Sequence, residues 1–145
     1  DYERSLEDEL TDQALGLVSI FVAWVDLVPK GYSFVAWNGC RDEEVRKAFP
    51  RVPEIYRLTV EAEVQSQSIG SRLIKHMESV ARSKDCEQIG LGVAYENPRA
   101  HALYLRLGYT EILSEYFDKY IAIDSNGQEH EISDKCRFMS KSTGA

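Results

Sequence analysis

This sequence predicts an α/β or α+β domain of three layers built on a mixed sheet, and three features carry that expectation. Two runs of strand character come first, from Leu17 to Val25 and from Gly31 to Trp37. A strand, a helix and a second strand then follow between Glu54 and Val93, the order of a right-handed βαβ unit with parallel strands. A short helix and a returning pair of strands complete the chain. Such an order lays helices on a sheet rather than on one another.

Each element has its own signal. Tyr2 to Ala14 is polar and acidic, with Leu6, Leu10 and Ala14 four residues apart, and reads as a short helix on a core, ended at Gly16. Leu17 to Val25 is a strand rich in β-branched residues. Asp26 to Lys30, with Pro29, makes a turn, and Gly31 to Trp37 is its antiparallel partner, the hairpin closing near Asn38-Gly39. Asp42 to Phe49 has helical character, but Pro50 and Pro53 confine it to a loop or short helix over one edge.

Glu54 to Val60, with Ile55, Leu58 and Val60, is the central strand. Ile69, Leu73, Met77 and Val80 recur at helical spacing as far as about Ser83, with Arg72, Lys75, Glu78 and Arg82 between them. Ile89 to Val93 is a short apolar strand reaching the same end of the sheet as Val60. Asn97 caps the next helix, Pro98 takes its first position and Gly108 stops it, with Ala100, Leu103 and Leu107 facing the core. Tyr109 to Asp124 contains strand, Asn126-Gly127 turns, and Lys135 to Ser140 is the last strand.

Composition narrows the function. A chain of 145 residues, 43% hydrophobic, is expected to form a single domain over 1–145 with a real core. A net charge of −7 argues against nucleic acid as a partner and mildly favours a cationic ligand. Cys40, Cys86 and Cys136 are odd in number and far apart, as expected of reduced intracellular thiols. They share no ligand spacing with His76, His101 and His130, so no metal is expected. No signal peptide is apparent, and the longest apolar run, Leu15 to Val25, is too short and broken to span a bilayer. A cytoplasmic protein without a membrane partner is the expectation.

The stretch Gln65-Ser66-Gln67-Ser68-Ile69-Gly70-Ser71 joins the central strand to the helix after it. The first amides of a helix lack intrahelical acceptors, and the dipole there favours negative charge. Small residues let a phosphate approach those amides, so the stretch reads as a diphosphate cradle. It has neither the Gly-Lys-Ser/Thr of a Walker loop nor the glycines of a dinucleotide fingerprint. Taken alone, it reads equally well as an ordinary strand-to-helix turn.

The downstream residues add a resemblance. Leu58-Thr59-Val60, Gln65-x-x-Ser68-x-Gly70, then Asn97 and Ala100-x-x-Leu103-Tyr104-x-x-x-Gly108-Tyr109 resemble the GNAT superfamily of acyl-CoA-dependent N-acetyltransferases. The similarity runs from about Leu17 to Ser140. It implies a mixed α/β, three-layer fold: a mostly antiparallel sheet splayed at one βαβ unit beyond Val60 and Val93, with helices on both faces. The cosubstrate it implies is acetyl-CoA and the acceptor an amine; a homodimer is left open.

The resemblance also assigns roles. The backbone near Leu58, Thr59 and Val60 bonds the acetyl carbonyl and pantetheine arm, and Gln65 with the amides from Ser66 to Ser71, Ile69 and Gly70 included, holds the CoA diphosphate. Asn97 bonds the pantetheine or orders the loop, besides capping its helix. Tyr104 lies near the sulfur and assists departure of the thiolate. The amine must be neutral to attack, so a base is required. Glu54 matches a position where some members carry that carboxylate, with Glu61 and Glu63 as alternatives. A solvated surface acid, for the carboxylates, and a packed helix residue, for Tyr104, are the competing structural readings.

Three departures accompany the match. Ser68 and Ser66 stand where glycine is usual, and only one helix precedes the first hairpin where the family has a strand and two helices. The N-terminal strand and first helix are thus expected to be missing. Besides the N-acetyltransferase, two further classes fit the residues: a non-catalytic acyl-CoA-binding or interaction module on the same fold, and a different nucleotide-binding α/β protein.

Overall fold

The computed structural model of the chain describes residues 6–61 and 68–145. In chain order these form α1 (Leu6–Ala14), β1 (Val18–Val25), β2 (Val28–Ala36), α2 (Glu43–Ala48), β3 (Glu54–Val60), α3 (Ile69–Ser83), β4 (Gln88–Ala94), α4 (Pro98–Arg106), β5 (Thr110–Ile123) and β6 (Glu129–Ser142). The described strands make one six-stranded sheet in the order β1-β2-β3-β4-β6-β5. Neighbouring strands are antiparallel except β3 with β4. The mixed α/β fold read from the sequence is the one observed.

Alternation along the strands divides their side chains between two faces. Val35, Ile55, Ile89, Leu91, Val93 and Met139 point to one side. There α3 buries Ile69, Leu73, Ile74, Met77 and Ala81, and α4 adds Tyr104 and Leu107. Each large aliphatic side chain buried this way is worth about 1.5–3 kcal/mol, so α3 is the principal anchor of the sheet. Phe138, Cys136 and Tyr116 point to the other side, beneath Val45 of α2 and Phe49. Val18, Phe34, Ala36 and Tyr56 continue that second face towards β1. The Asp42 carboxylate accepts from the Val45 amide at 3.1 Å and caps α2, which is why this short segment is helix rather than loop.

The structure corrects several boundaries. The first hairpin closes at Asp26-Leu27 and not near Asn38-Gly39; both turn residues have positive φ, 51° and 67°, the twist that a two-residue turn demands. Pro29 lies within β2, beside a register shift that spares the ladder its missing N–H. The last strand starts at Glu129 rather than Lys135, because a long ribbon with β5 is paired even where both strands are polar. Leu10 of α1 is 51% exposed and Ala14 is exposed as well, so these two do not face the core as their spacing suggested.

β3 carries a bulge. Tyr32 pairs with Thr59 and Phe34 with Tyr56, so Arg57 and Leu58 together oppose Ser33. Arg57 takes up the extra length at φ 53°. Ser33 is fully buried, and its Oγ donates to the Tyr56 carbonyl oxygen at 3.0 Å. The added residue shifts the facing pattern, so that Ile55 and then Leu58 and Val60 all lie on the α3 side. A bulged strand also bends. Parallel pairing of β3 with β4 is confined to Glu54–Gly90 and Ile55–Leu91. The two strands therefore part after Ile55 and Leu91, several residues before Val60 and Val93 where the sequence reading put the splay.

Replacing Ser33 with alanine removes the donor that holds the bulge. Ser33→Ala is expected to cost about 1–3 kcal/mol, the penalty for depriving a buried carbonyl of its partner, read as a lower urea midpoint. An unchanged midpoint would show that Ser33 does not hold the bulge.

Candidate active site

On the α3 and α4 side of the β3–β4 seam lies a cleft of about 620 Å³, lined by Leu58 and Val60, by Ser68, Gly70 and Ser71, and by α4 and its cap from Asn97 to Leu107. Its far end is the N-terminus of α3. Ser68 is the cap residue, in the left-handed region at φ 61° and ψ 24°, and its side chain makes no capping bond. The first turn of α3 carries no acidic residue, so its amides and dipole are not neutralised from within that turn. A Cβ at Gly70 would meet only Val60 and Leu58, at 3.8 and 3.9 Å. Packing among the described residues therefore does not demand glycine here, and Gly70 lines the cleft.

α4 forms the opposite wall. The Asn97 carboxamide oxygen accepts from the Ala100 amide at 3.1 Å, and Pro98 opens the helix. None of its residues is fully buried, and Leu103 lines the cleft rather than the core, contrary to the sequence reading. Tyr104 also lines it, its ring edge-on to Tyr109 at 6.3 Å. Burial raises the Tyr104 pKa, so the hydroxyl is a protonated donor at neutral pH. Tyr109 is fixed in turn, because its hydroxyl donates to Glu78 at 2.7 Å and Glu78 pairs with Lys141 at 3.1 Å.

The remaining candidate residues divide by face and by coverage. Thr59 is exposed, and its Oγ1 donates to the Arg57 carbonyl oxygen at 3.1 Å, so only its backbone remains for a ligand in the cleft. Glu54 is not a solvated surface acid: it is 3% exposed and lies on the second face of the sheet. The Arg41 amide and Nε both donate to its Oε1, at 3.0 and 2.9 Å, and the Arg41 guanidinium rests on the Tyr56 ring at 4.0 Å. Glu61 is exposed and pairs with Lys30 at 3.2 Å. Glu63, Gln65, Ser66 and Gln67 lie outside the described residues.

Reading the sequence alone missed Arg99 and Arg106, which line the cleft. A signal was present at Arg99: a cation in the first turn of a helix opposes the dipole, so such a residue is placed there for something other than helix stability. Arg41, which sets the Glu54 carboxylate in place, had no signal at all in the sequence.

A split mixed sheet with a helix N-terminus at the end of the split is the architecture of the acyl-CoA-dependent acetyltransferases. The model of the Acetyltransferase (GNAT) family matches residues 2–109, and the chain belongs to that family. Among curated relatives it is 35% identical over 81 residues to a thialysine N-epsilon-acetyltransferase of Bos taurus, covering 56% of this chain and 41% of that protein. The match thus spans about two fifths of the relative's length. Among solved structures it is similar to a ribosomal-protein-alanine N-acetyltransferase from Brucella melitensis, with TM-score 0.67, 19% identity, and 94% of this chain and 75% of the other covered. It is also similar to the PaiA N-acetyltransferase of Thermoplasma acidophilum in complex with coenzyme A, with TM-score 0.63, 17% identity, and coverage of 94% and 69%. At these identities the solved structures establish the fold.

Ser68 holds a backbone conformation that glycine adopts without penalty. Ser68→Gly is expected to relieve a left-handed strain of about 1–2 kcal/mol, offset in part by glycine's greater chain entropy, for a net gain of up to about 1 kcal/mol. It is also expected to tighten CoA binding, since the side chain no longer crowds the amides. Melting temperature and calorimetric CoA affinity check the two effects separately; a weaker CoA affinity would show that the hydroxyl donates to the ligand.

Proposed function

We propose that this domain transfers an acetyl group from acetyl-CoA to a primary amine of a small molecule, peptide or protein, by direct attack within a ternary complex. The observation that carries the reading is the seam between β3 and β4, which opens directly beside the N-terminus of α3 and under Tyr104. When bound, the cosubstrate supplies an activated thioester. The amides of Ile69, Gly70 and Ser71, with Gln65, Ser66, Gln67 and Ser68 before them, hold its diphosphate, and Arg99 and Arg106 add positive charge along the same cleft. The backbone of Leu58, Thr59 and Val60 receives the pantetheine arm and orients the thioester carbonyl, and Asn97 bonds the arm from the α4 side. The CoA complex of the Thermoplasma relative supports this cosubstrate. The bovine relative, by its name, modifies the Nε of thialysine, which supports a primary amine as acceptor.

Two side chains serve the chemistry. Tyr104 donates a hydrogen bond to the departing sulfur. A thiol has an ordinary pKa near ~8.5 and a tyrosine near ~10; with the Tyr104 pKa raised further, the phenol shares its proton with the thiolate instead of surrendering it. Glu54, buried on the far side of the seam, takes the proton of the attacking amine, with Arg41 fixing its orientation.

An acetyl-CoA turnover screen over primary amines, read by free thiol release, tests the function; tight acetyl-CoA binding with no thiol release on any amine would select the non-catalytic module instead. Tyr104→Phe keeps the ring against Tyr109 and removes only the donor. It is expected to lower the chemical rate by about 10²-fold and at most 10⁴-fold, with acetyl-CoA affinity and melting temperature little changed. Turnover within about twofold of wild type, with chemistry rate-limiting, would reduce Tyr104 to packing.

A further inference from the structure

The two edges of the sheet are built differently. β5, at one edge, carries Glu111, Glu115, Asp118 and Lys119 and shifts register twice along β6. Charges and bulges of this kind keep an exposed strand from recruiting another. β1, at the other edge, holds neither a charged residue nor a proline from Val18 to Val25, and its one register shift lies near the turn, at Ala23/Trp24. Among the described residues no strand pairs with its outer side. A long apolar edge left open in this way is a template for a further strand.

A groove runs along that edge. It has a volume of about 380 Å³ and is lined by five successive residues of β1, Ile20 to Trp24, facing Ile69, Arg72, Leu73 and His76 of α3. Side chains alternate between the faces of a strand, so a hollow on one face would be lined by every second residue. Five in succession mean that the groove follows the backbone at the strand's open side. Its floor is apolar, with the Phe21 ring edge-on to His76 at 5.6 Å. Its α3 wall is cationic: Arg72 is exposed, and among the described residues its guanidinium has no hydrogen-bond or ion-pair partner. On the other face of the sheet Val22 and Trp24 stand 41% and 63% exposed, so apolar surface borders the edge there as well.

We propose that this edge docks an extended segment of a partner protein, added to the sheet as a further strand, with apolar side chains at alternate positions in the groove and an acidic one against Arg72. Main-chain hydrogen bonds to β1 supply the affinity of such an addition, and the groove reads the alternate side chains. Charge decides between this occupant and a second copy of the chain. Two copies joined β1 to β1 about a two-fold axis would carry both α3 helices on one side of the junction, bringing Arg72 and His76 towards their own counterparts. An acidic segment meets the same wall with the opposite sign. The inference does not depend on the acetyltransferase reading, since β2 and β3 separate β1 from the seam and neither Arg72 nor His76 lines the cleft.

The test uses a fluorophore-tagged, end-blocked peptide, Thr-Val-Thr-Glu-Thr-Val-Thr, whose valines and glutamate share one face when it is extended. Its binding to the whole chain is followed by fluorescence anisotropy at low salt and is expected to saturate. Lysine in place of the glutamate is expected to weaken binding about five- to thirtyfold, since it turns an attraction into a repulsion. Arg72→Glu, a change at an exposed position, is expected to reverse the order so that the lysine peptide binds better. Only one side of an added strand faces β1, so N-methylating the peptide's amides along that side should abolish binding, while methylating the others should leave it within about threefold. No saturable binding of the glutamate peptide, equal binding of the two peptides, an order unchanged in Arg72→Glu, or an equal effect of the two methylation patterns would each overturn the proposal. A dimer, seen by sedimentation, that the glutamate peptide does not displace would give the edge to a second copy and overturn it as well.

Discussion

The hydrogen bond from Ser33 to the Tyr56 carbonyl, and the bulge it holds at Arg57, set the geometry of everything else. A regular β3 would keep its parallel ladder with β4, and the sheet would be closed along its length. The inserted residue ends that ladder after two pairs and turns Leu58 and Val60 to the α3 side. One local irregularity thereby creates the seam, lines one side of it and leaves the β3 backbone beyond Ile55 without a β4 partner. The left-handed Arg57 is the conformational cost, of order 1–3 kcal/mol, and such costs collect at sites where binding needs them.

A sheet opened in its centre needs bracing from elsewhere. β4 is held on its other edge by β6 along its whole length, from Gln88–Ser142 to Ala94–Cys136. α3 spans the opening, resting on β1 and β2 as well as on β3 and β4. Tyr109, Glu78 and Lys141 then tie α3 to the start of β5 and to the end of β6 through two charged contacts. The seam is therefore braced on both sides, as the transfer proposed above between two bound substrates would require. Gly90 and Gly92 complete the arrangement: a Cβ on Gly90 would strike Phe138 at 2.6 Å, as one on Gly92 would strike Tyr116.

Much of this was legible in the sequence. The β3 boundaries, the α3 and α4 helices, the Asn97 cap and the mixed sheet all follow from periodicity and capping residues, which act locally. The bulge also left a trace, since Ile55 and Leu58 are three apart where an unbroken strand would space its inward residues by two. That spacing places the splay just after Ile55 rather than beyond Val60 and Val93. A turn was legible between Asp26 and Lys30, but its two-residue length was not, because leucine is a poor resident of the left-handed region and no glycine marks it. Arg41 and Tyr116 were invisible for a different reason. Arg41 reaches Glu54 across 13 positions, and Tyr116 reaches Gly92 across β6, and no local pattern encodes contacts of that kind.

The most direct measurement is amide hydrogen exchange of the whole chain with and without saturating acetyl-CoA. A ligand lying in the seam with its diphosphate on α3 should slow exchange at Leu58 to Val60, at Ile69 to Ser71 and around Asn97, leaving the long β5–β6 ribbon unchanged. Saturable binding that protects none of these segments, or that protects instead the groove between β1 and α3 around Phe21 and His76, would contradict the account.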